Sequence, residues 1–230
     1  MEYLWDGIQE AIRLIISVDN EVCRTVLLSL RISLTATLLA SIVGIPLGFL
    51  IGTREFFLKR PIITFFNTLL SLPTVVVGLF LYSLLSKRGP LGPLDLLFTP
   101  AAMVLGQFIL AIPIIVALTI SAIQMVDPRV KWTAMTLGAG PVRTAMAVLS
   151  EARFALTGAV IAGFGRVIAE VGAAMMVGGN IKGYTRIMTT AIALETAKGE
   201  FAFALSLGFI LLTVAFSVNI LFHYFQGKRG

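Results

Sequence analysis

The chain has 230 residues, 57% of them hydrophobic and only 13% charged, with a mean hydropathy of +0.95; a soluble domain carries about a quarter charged residues, so a water-soluble globule is excluded. The net charge of +6 does not mark a nucleic-acid binder, because the positive residues are scattered through short segments instead of gathered on one soluble face. Cys23 is the single cysteine, which excludes an internal disulfide and leaves the redox compartment open.

Residues 1–17 place Leu4, Ile8, Ala11, Ile12 and Ile15 on one helical face and Asp6, Glu10 and Arg13 on the other. This predicts a short amphipathic helix, either lying in the membrane interface or packed on the edge of the domain. The segment is mixed and acidic, without a basic start or a small-residue cleavage site, and does not read as a cleavable signal. Residues 1–20 are therefore set apart from a membrane domain over 21–230. Stretches of about 18 or more apolar residues read as transmembrane helices. Four stretches hold no Asp, Glu, Lys or Arg, at 32–52, 61–86, 96–126 and 201–226; a fifth, at 154–178, is interrupted only by Arg166 and Glu170. The expected fold is all-α and integral to the membrane, with five transmembrane helices and an N-terminal interfacial helix. In the first span Gly44, Gly48 and Gly52 form a tandem GxxxG, which lets helix backbones approach closely. Pro46, Pro73 and Pro113 each fall inside a span, predicting kinks and helices curved around a cavity.

The polar segment at 127–153 follows the third span. Asp127 and Pro128 are an N-cap and a first-turn proline. About two helical turns through Trp132 to Leu137 should end at Gly138, Ala139, Gly140 and Pro141, and a second helix should run from Val142 to Phe154. Such a knob fits a partner's groove or is an ordinary hairpin; the spacing leaves both readings open. In the fifth span Arg166 and Glu170 lie four residues apart and share a helix face. Charges in a bilayer usually face a protein interior or a wet cavity, so the pair either lines a path or fixes one helix against another. Gly165, Ala169 and Ala173 add a small-residue stripe suited to close packing. Beyond it, residues 187–197 suit a short re-entrant or surface helix.

Five spans put the termini on opposite sides. With the N-terminus outside, the inner segments hold Arg54, Lys59, Arg60, Arg129, Lys131, Arg143, Arg153, Lys228 and Arg229. The outer ones hold Arg13, Arg24, Lys87, Arg88, Lys182, Arg186 and Lys198. Nine against seven favours this orientation, with a cytoplasmic C-terminus. No P-loop sequence occurs, so the chain is not its own ATPase. His223 is the lone histidine, near the end of the last span, and reads as an interfacial residue rather than a metal ligand. No serine-nucleophile motif appears. Met175, Met176 and Met188 read as apolar gap-fillers.

The 127–153 segment resembles the coupling loop of ABC importer permeases, whose signature is E-A-A, three residues, Gly, nine residues, then I-x-L-P. Gly138 matches the fixed glycine and Ala134 the second alanine. Trp132 and Thr133 stand for the Glu and first Ala, and Val148, Leu149, Ser150 and Glu151 stand for I-x-L-P. The run Ala169, Glu170, Val171, Gly172, Ala173, followed by Gly179 and Asn180, resembles a segment of molybdate, tungstate and sulfate permeases, with Val171 in place of the usual Phe. The wording of 151–201 is most similar to tungstate permeases, and the wider resemblance covers about 20–226.

The resemblance implies a MetI-like permease fold and a cytoplasmic contact with an ATPase through Trp132, Thr133, Ala134, Leu137, Gly138, Ala139 and Gly140. It implies two copies facing each other across the pore, two ABC ATPase subunits and an extracytoplasmic oxyanion-binding protein, in a lipid membrane and without nucleic acid. ATP and Mg would be held by the ATPase, leaving no cofactor in this chain. For an oxyanion cargo, most similar to tungstate with molybdate or sulfate as alternatives, the path residues would be Arg166, Glu170, Asn180, Thr189 and Thr190. Asn180, Thr189 and Thr190 would offer neutral donors with the backbone near Gly178 and Gly179, or merely cap helices. Lys182 and Arg186 would attract an anion, meet the delivery protein, or be solvated. The rival reading is an ion-coupled secondary transporter with Glu170 as its protonation site. The loop at 127–153 and the lack of an inverted repeat count against it.

Overall fold

The computed structural model describes residues 2–17 and 19–227; for residues 2, 3, 223 and 225–227 only the backbone is described. The side chain of His223 and the charges of Lys228 and Arg229 therefore lie outside the described part. Among the described residues there is no strand.

Helix α1 (Glu2–Ile16) packs along the last helix, α11 (Phe201–Gly227). A Cβ on Gly7 would meet Leu205 at 2.9 Å, and Ala11 is buried in a cluster with Val22, Met188, Leu207 and Ile210. Leu4, Trp5, Ile8, Ile12 and Ile15 stay exposed. The larger members of the amphipathic stripe thus face outward, while its small member Ala11, with Gly7 beside it, makes the protein contact.

Asp19 starts α2 (Asn20–Thr53): its carboxylate accepts the N–H groups of Glu21 and Val22, both at 2.9 Å. Helix α2 runs for 34 residues, about 50 Å at 1.5 Å per residue. It packs on α5 (Pro100–Gln124). A Cβ added to Gly44, Gly48 or Gly52 would come within 3.0, 2.7 and 3.0 Å of Ile115, Thr119 and Ile123 in turn. Both series rise together, so the two helices run parallel, and the chain between them must return to the starting end. Without a hydrophobic drive between helices in lipid, this close backbone approach holds them together.

The return is made by α3 (Lys59–Leu69) and α4 (Thr74–Leu85). The span expected over 61–86, with a kink predicted at Pro73, is broken at 70–73 and bends by 96°. Pro73, the N-cap of α4, sits at this break, because proline disfavours helix at the residue before it. Pro46 and Pro113 remain inside continuous helices. A 3-10 turn at Gly92–Leu94 leads to Thr99, whose hydroxyl accepts the Ala102 N–H and starts α5.

Then come α6 (Pro128–Thr136), α7 (Pro141–Glu151), α8 (Arg153–Ile168), α9 (Gly172–Gly178) and α10 (Met188–Lys198). Helices α7 and α8 form a second bent pair, at 69°. The expected span at 154–178 is not one helix, since 169–171 separates α8 from α9. Among the described residues three helices are long and apolar enough to cross a membrane: α2, α5 and residues Phe201–Phe222 of α11. Counting each bent pair as one span gives up to five. The main core gathers Ile32, Leu81, Leu85, Met103, Ile115, Val167 and Val177 from α2, α4, α5, α8 and α9.

The molecule has two distinct ends along α2. At its C-terminal end Phe49, Thr53 and Arg54 border a pocket with Lys131, Met135 and Thr144. At its N-terminal end Glu21 meets Lys182 at 2.7 Å. The loops at 54–60 and 127–153 thus share one end, and the start of α2 and the 179–187 loop share the other. Arg31 also lies toward that second end, so the positive charges divide nine against eight.

Candidate functional site

Two places carry polar chemistry. The first is the α6–α7 knob. The Asp127 carboxylate accepts the Arg129 N–H at 2.8 Å, with Pro128 in the first turn. Helix α6 stops in a Schellman arrangement: the Ala139 N–H donates to the Ala134 carbonyl and the Gly138 N–H to the Met135 carbonyl, both at 3.0 Å. Gly138 has φ +81°, the left-handed conformation that favours glycine. Pro141 then opens α7, where the Thr144 hydroxyl donates back to the Ala139 carbonyl at 3.3 Å.

No residue of α6 is buried. Trp132 and Met135 are 63% and 55% exposed, and Leu137, in the turn beyond, 82%. By contrast α7 is anchored: Val148 is buried with Ala122 and Ile123 of α5, against which Phe49 of α2 also packs. The knob therefore presents exposed apolar side chains beside the basic Arg129 and Lys131, and is seated on the ends of two long helices. An exposed apolar patch of this kind marks a contact surface.

The second place is the break between α8 and α9. Glu170 is 2% exposed. Its Oε2 lies 3.2 Å from Arg166 Nη1, and its Oε1 accepts the Ala173 N–H at 2.9 Å. The expected pair forms, but across a helix break rather than along one continuous helix, because the carboxylate caps the first turn of α9. The Arg166 side chain is 37% exposed. Thr189 ties in α10, its hydroxyl donating to the Glu170 carbonyl at 2.7 Å. Arg166, Glu170 and Thr189 are thus brought together.

Asn180 and Thr190 form a neighbouring group. Asn180 has φ +49° and follows Gly179 at φ +68°. Its Nδ2 donates to the Thr190 carbonyl at 3.3 Å, while its buried Oδ1 has no partner among the described residues. The Thr190 hydroxyl accepts the Ile187 N–H at 3.1 Å and caps α10. In this conformation the hydroxyls of Thr189 and Thr190 are engaged inside the protein, and the Gly179 N–H is bound to the Met175 carbonyl.

Two polar residues that hold this region escaped the sequence reading. The buried Thr185 hydroxyl accepts the Ile181 N–H and donates to the Gly178 carbonyl. Ser29, on α2, accepts the Met188 N–H at 2.9 Å and joins α10 to the first span. Their only signal was being hydroxyl residues in or beside apolar segments, where such groups join helices. Among the described residues no group of three or more His, Cys, Asp or Glu is placed to hold a metal ion.

Comparison with known proteins gives a consistent picture. The family described as "Binding-protein-dependent transport system inner membrane component" matches residues 44–229. The chain is 44% identical over 97% of its length to a tungstate uptake system permease protein of Campylobacter jejuni, covering 93% of that protein. It is 40% identical to the tungstate uptake system permease protein of Peptoclostridium acidaminophilum, over 98% of this chain and 99% of the other. A probable anion ABC transporter permease protein of Haloferax volcanii is 39% identical, over 87% of this chain and 88% of that one. Relatives named for molybdenum and sulfate transport match at 30% and 24%.

Proposed function

The chain belongs to the family of binding-protein-dependent transport system inner membrane components, and on that premise we propose that the oxyanion it carries is tungstate. It is a multi-pass inner-membrane permease subunit of an ABC importer, not itself an enzyme. An ATPase and a binding protein are its working partners, and ATP and Mg belong to the ATPase. What favours tungstate over molybdate is the identity of 40–44% over nearly the whole chain to tungstate permeases, against 30% for the molybdenum relative.

The observation that carries the mechanism is the exposed apolar knob seated on the ends of α2 and α5. In our reading Trp132, Thr133, Ala134, Leu137, Gly138, Ala139 and Gly140 meet the ATPase, which places the knob in the cytoplasm and the N-terminus outside. Closure of the ATPase pair pushes on α6; the anchored α7 passes the motion to α2, α5 and, through the bent junction, to α8. The transport path runs between two copies of the chain. The open face of α8 supports this: a Cβ at Gly158 or Gly165 would have nothing within 4 Å. Arg166 reaches the path from that region, and Glu170, Asn180, Thr189 and Thr190 hold the broken helix in place around it. A pair present in only one of two states biases the equilibrium between them, and Arg166 with Glu170 acts in that way. Residues 1–20 are an accessory helix on the permease body of 21–230.

The test is uptake into proteoliposomes holding this chain, its ATPase and its binding protein. Tungstate accumulation that requires ATP and both partners, and that molybdate and sulfate compete with poorly, is the expected result. Uptake by the chain alone under a proton gradient would replace the importer with a secondary transporter.

A further inference from the structure

At the end of the molecule opposite the knob, α2 and the loop before α10 enclose a cleft of about 550 Å³. Four cations line it, Arg24, Arg31, Lys182 and Arg186, and Glu21 is the single carboxylate among its lining residues. Arg24 and Arg31 are seven residues apart, hence on the same face of α2 and about 10 Å apart along its axis. Leu27 lies between them on the cleft wall.

The charges do not cancel. Glu21 is held by Lys182 at 2.7 Å and lies 3.9 Å from Arg186. Among the described residues no ion pair is made by Arg24 or Arg31. The Nε of Arg186 is buried with no hydrogen-bond partner among the described residues, and an arginine has no other protonation state through which to relieve that. Four cations against one carboxylate leave the cleft with a net positive charge, which concentrates its field on an incoming anion.

We propose that this cleft is a binding site for a tetrahedral oxyanion group, held by Arg24, Arg31, Lys182 and Arg186. Two sources offer that chemistry. One is the free cargo oxyanion, arriving before it enters the path; this source rests on the permease reading and on its orientation. The other is the phosphate of an anionic phospholipid, whose chains would lie along the exposed stripe of Leu27, Leu38 and Ile42 on α2. Guanidinium groups favour both, because their planar donors match paired oxyanion oxygens.

The experiment uses the purified permease–ATPase complex in nanodiscs. In phosphatidylcholine discs, tungstate and inorganic phosphate are titrated by calorimetry. In discs containing phosphatidylglycerol, the lipid retained by the complex is read by native mass spectrometry. The expected result is binding in one arm that the Arg24→Gln/Arg31→Gln double variant weakens about tenfold or more. Glu21→Gln should strengthen it, since the only competing carboxylate is removed. Signal in the first arm identifies the cargo and in the second the lipid. No binding in either arm, or binding that the double variant leaves unchanged, overturns the proposal. The same preparations are assayed for ATP-dependent tungstate uptake. Transport without binding then rejects the cleft while leaving the permease reading intact, and binding without transport does the reverse.

Discussion

At the residue scale the molecule turns on Glu170, whose two carboxylate oxygens serve two elements. One faces Arg166 of α8 and the other takes the Ala173 N–H of α9. Glu170→Ala leaves that buried N–H without an acceptor, a cost of about 1–3 kcal/mol, so thermal denaturation in detergent should shift downward. Glu170→Gln keeps an oxygen for Ala173 but offers Arg166 no charge. It should leave stability nearly intact and lower the uptake rate. Wild-type uptake in Glu170→Gln would reduce the pair to a packing contact. The i,i+4 spacing of the pair was legible in the sequence. That the carboxylate would end one helix and start another was not, since a glutamate at this spacing is equally compatible with a continuous helix.

At the scale of elements, glycines do two different jobs. On α2 they admit α5: a Cβ at Gly48 would stand 2.7 Å from Thr119 Cβ and 2.9 Å from the Val116 carbonyl oxygen. Gly48→Ala should destabilise by about 1–3 kcal/mol, because overpacking forces the helices apart. Gly158 on α8 faces open space, and Gly158→Ala should stabilise the isolated subunit by about 1 kcal/mol through helix propensity. Equal shifts in the two variants would contradict the packing described. The knob is tested at Gly138, where φ is +81° and nothing lies within 4 Å of a new Cβ. Gly138→Asp therefore meets no clash, and the left-handed backbone costs it only about 1–2 kcal/mol. It should insert normally yet lose stoichiometric co-purification with the ATPase, because a charge enters an apolar contact. Unchanged co-purification and transport would remove the knob from the coupling role.

At the scale of the whole molecule, the structure shows which loops share an end, and the proposed orientation assigns each end a side. The knob and the 54–60 loop gather at the C-terminal end of α2, and the cation-lined cleft lies at its other end. Cys23 is partly exposed near the cleft, so a membrane-impermeant maleimide should label it in intact spheroplasts. In a Cys23→Ser background, Met146→Cys on α7, where the native side chain is 56% exposed, should label only after permeabilisation. The opposite pattern would invert the topology and move the knob outside.

The sequence alone determined that the chain is a membrane protein, because five long apolar stretches leave a folded chain nowhere else to put them. It also determined where α6 begins and ends and where α7 starts, because Asp127, Pro128, Gly138 and Pro141 act through local backbone chemistry; the second helix expected to run to Phe154 instead stops at Glu151, and Phe154 belongs to α8. The amphipathic start, the α2 glycine face and the pairing of Arg166 with Glu170 were legible for the same reason: each depends on neighbours within a few residues. Only the tertiary structure decided that 154–178 is broken and that the kink expected in 61–86 is a full break, that Gly7 and Ala11 rather than the larger members of the apolar stripe anchor α1, and that Ser29 and Thr185 hold α10 and the turn before it. It alone brought Arg24 and Arg31 to the same cleft as Lys182 and Arg186, more than 150 residues away in the chain. Hydropathy measures whether a segment belongs in lipid, not which of its polar groups will find a partner on another helix. That choice is made by close packing and by satisfying buried hydrogen bonds, which exist only once the helices have met.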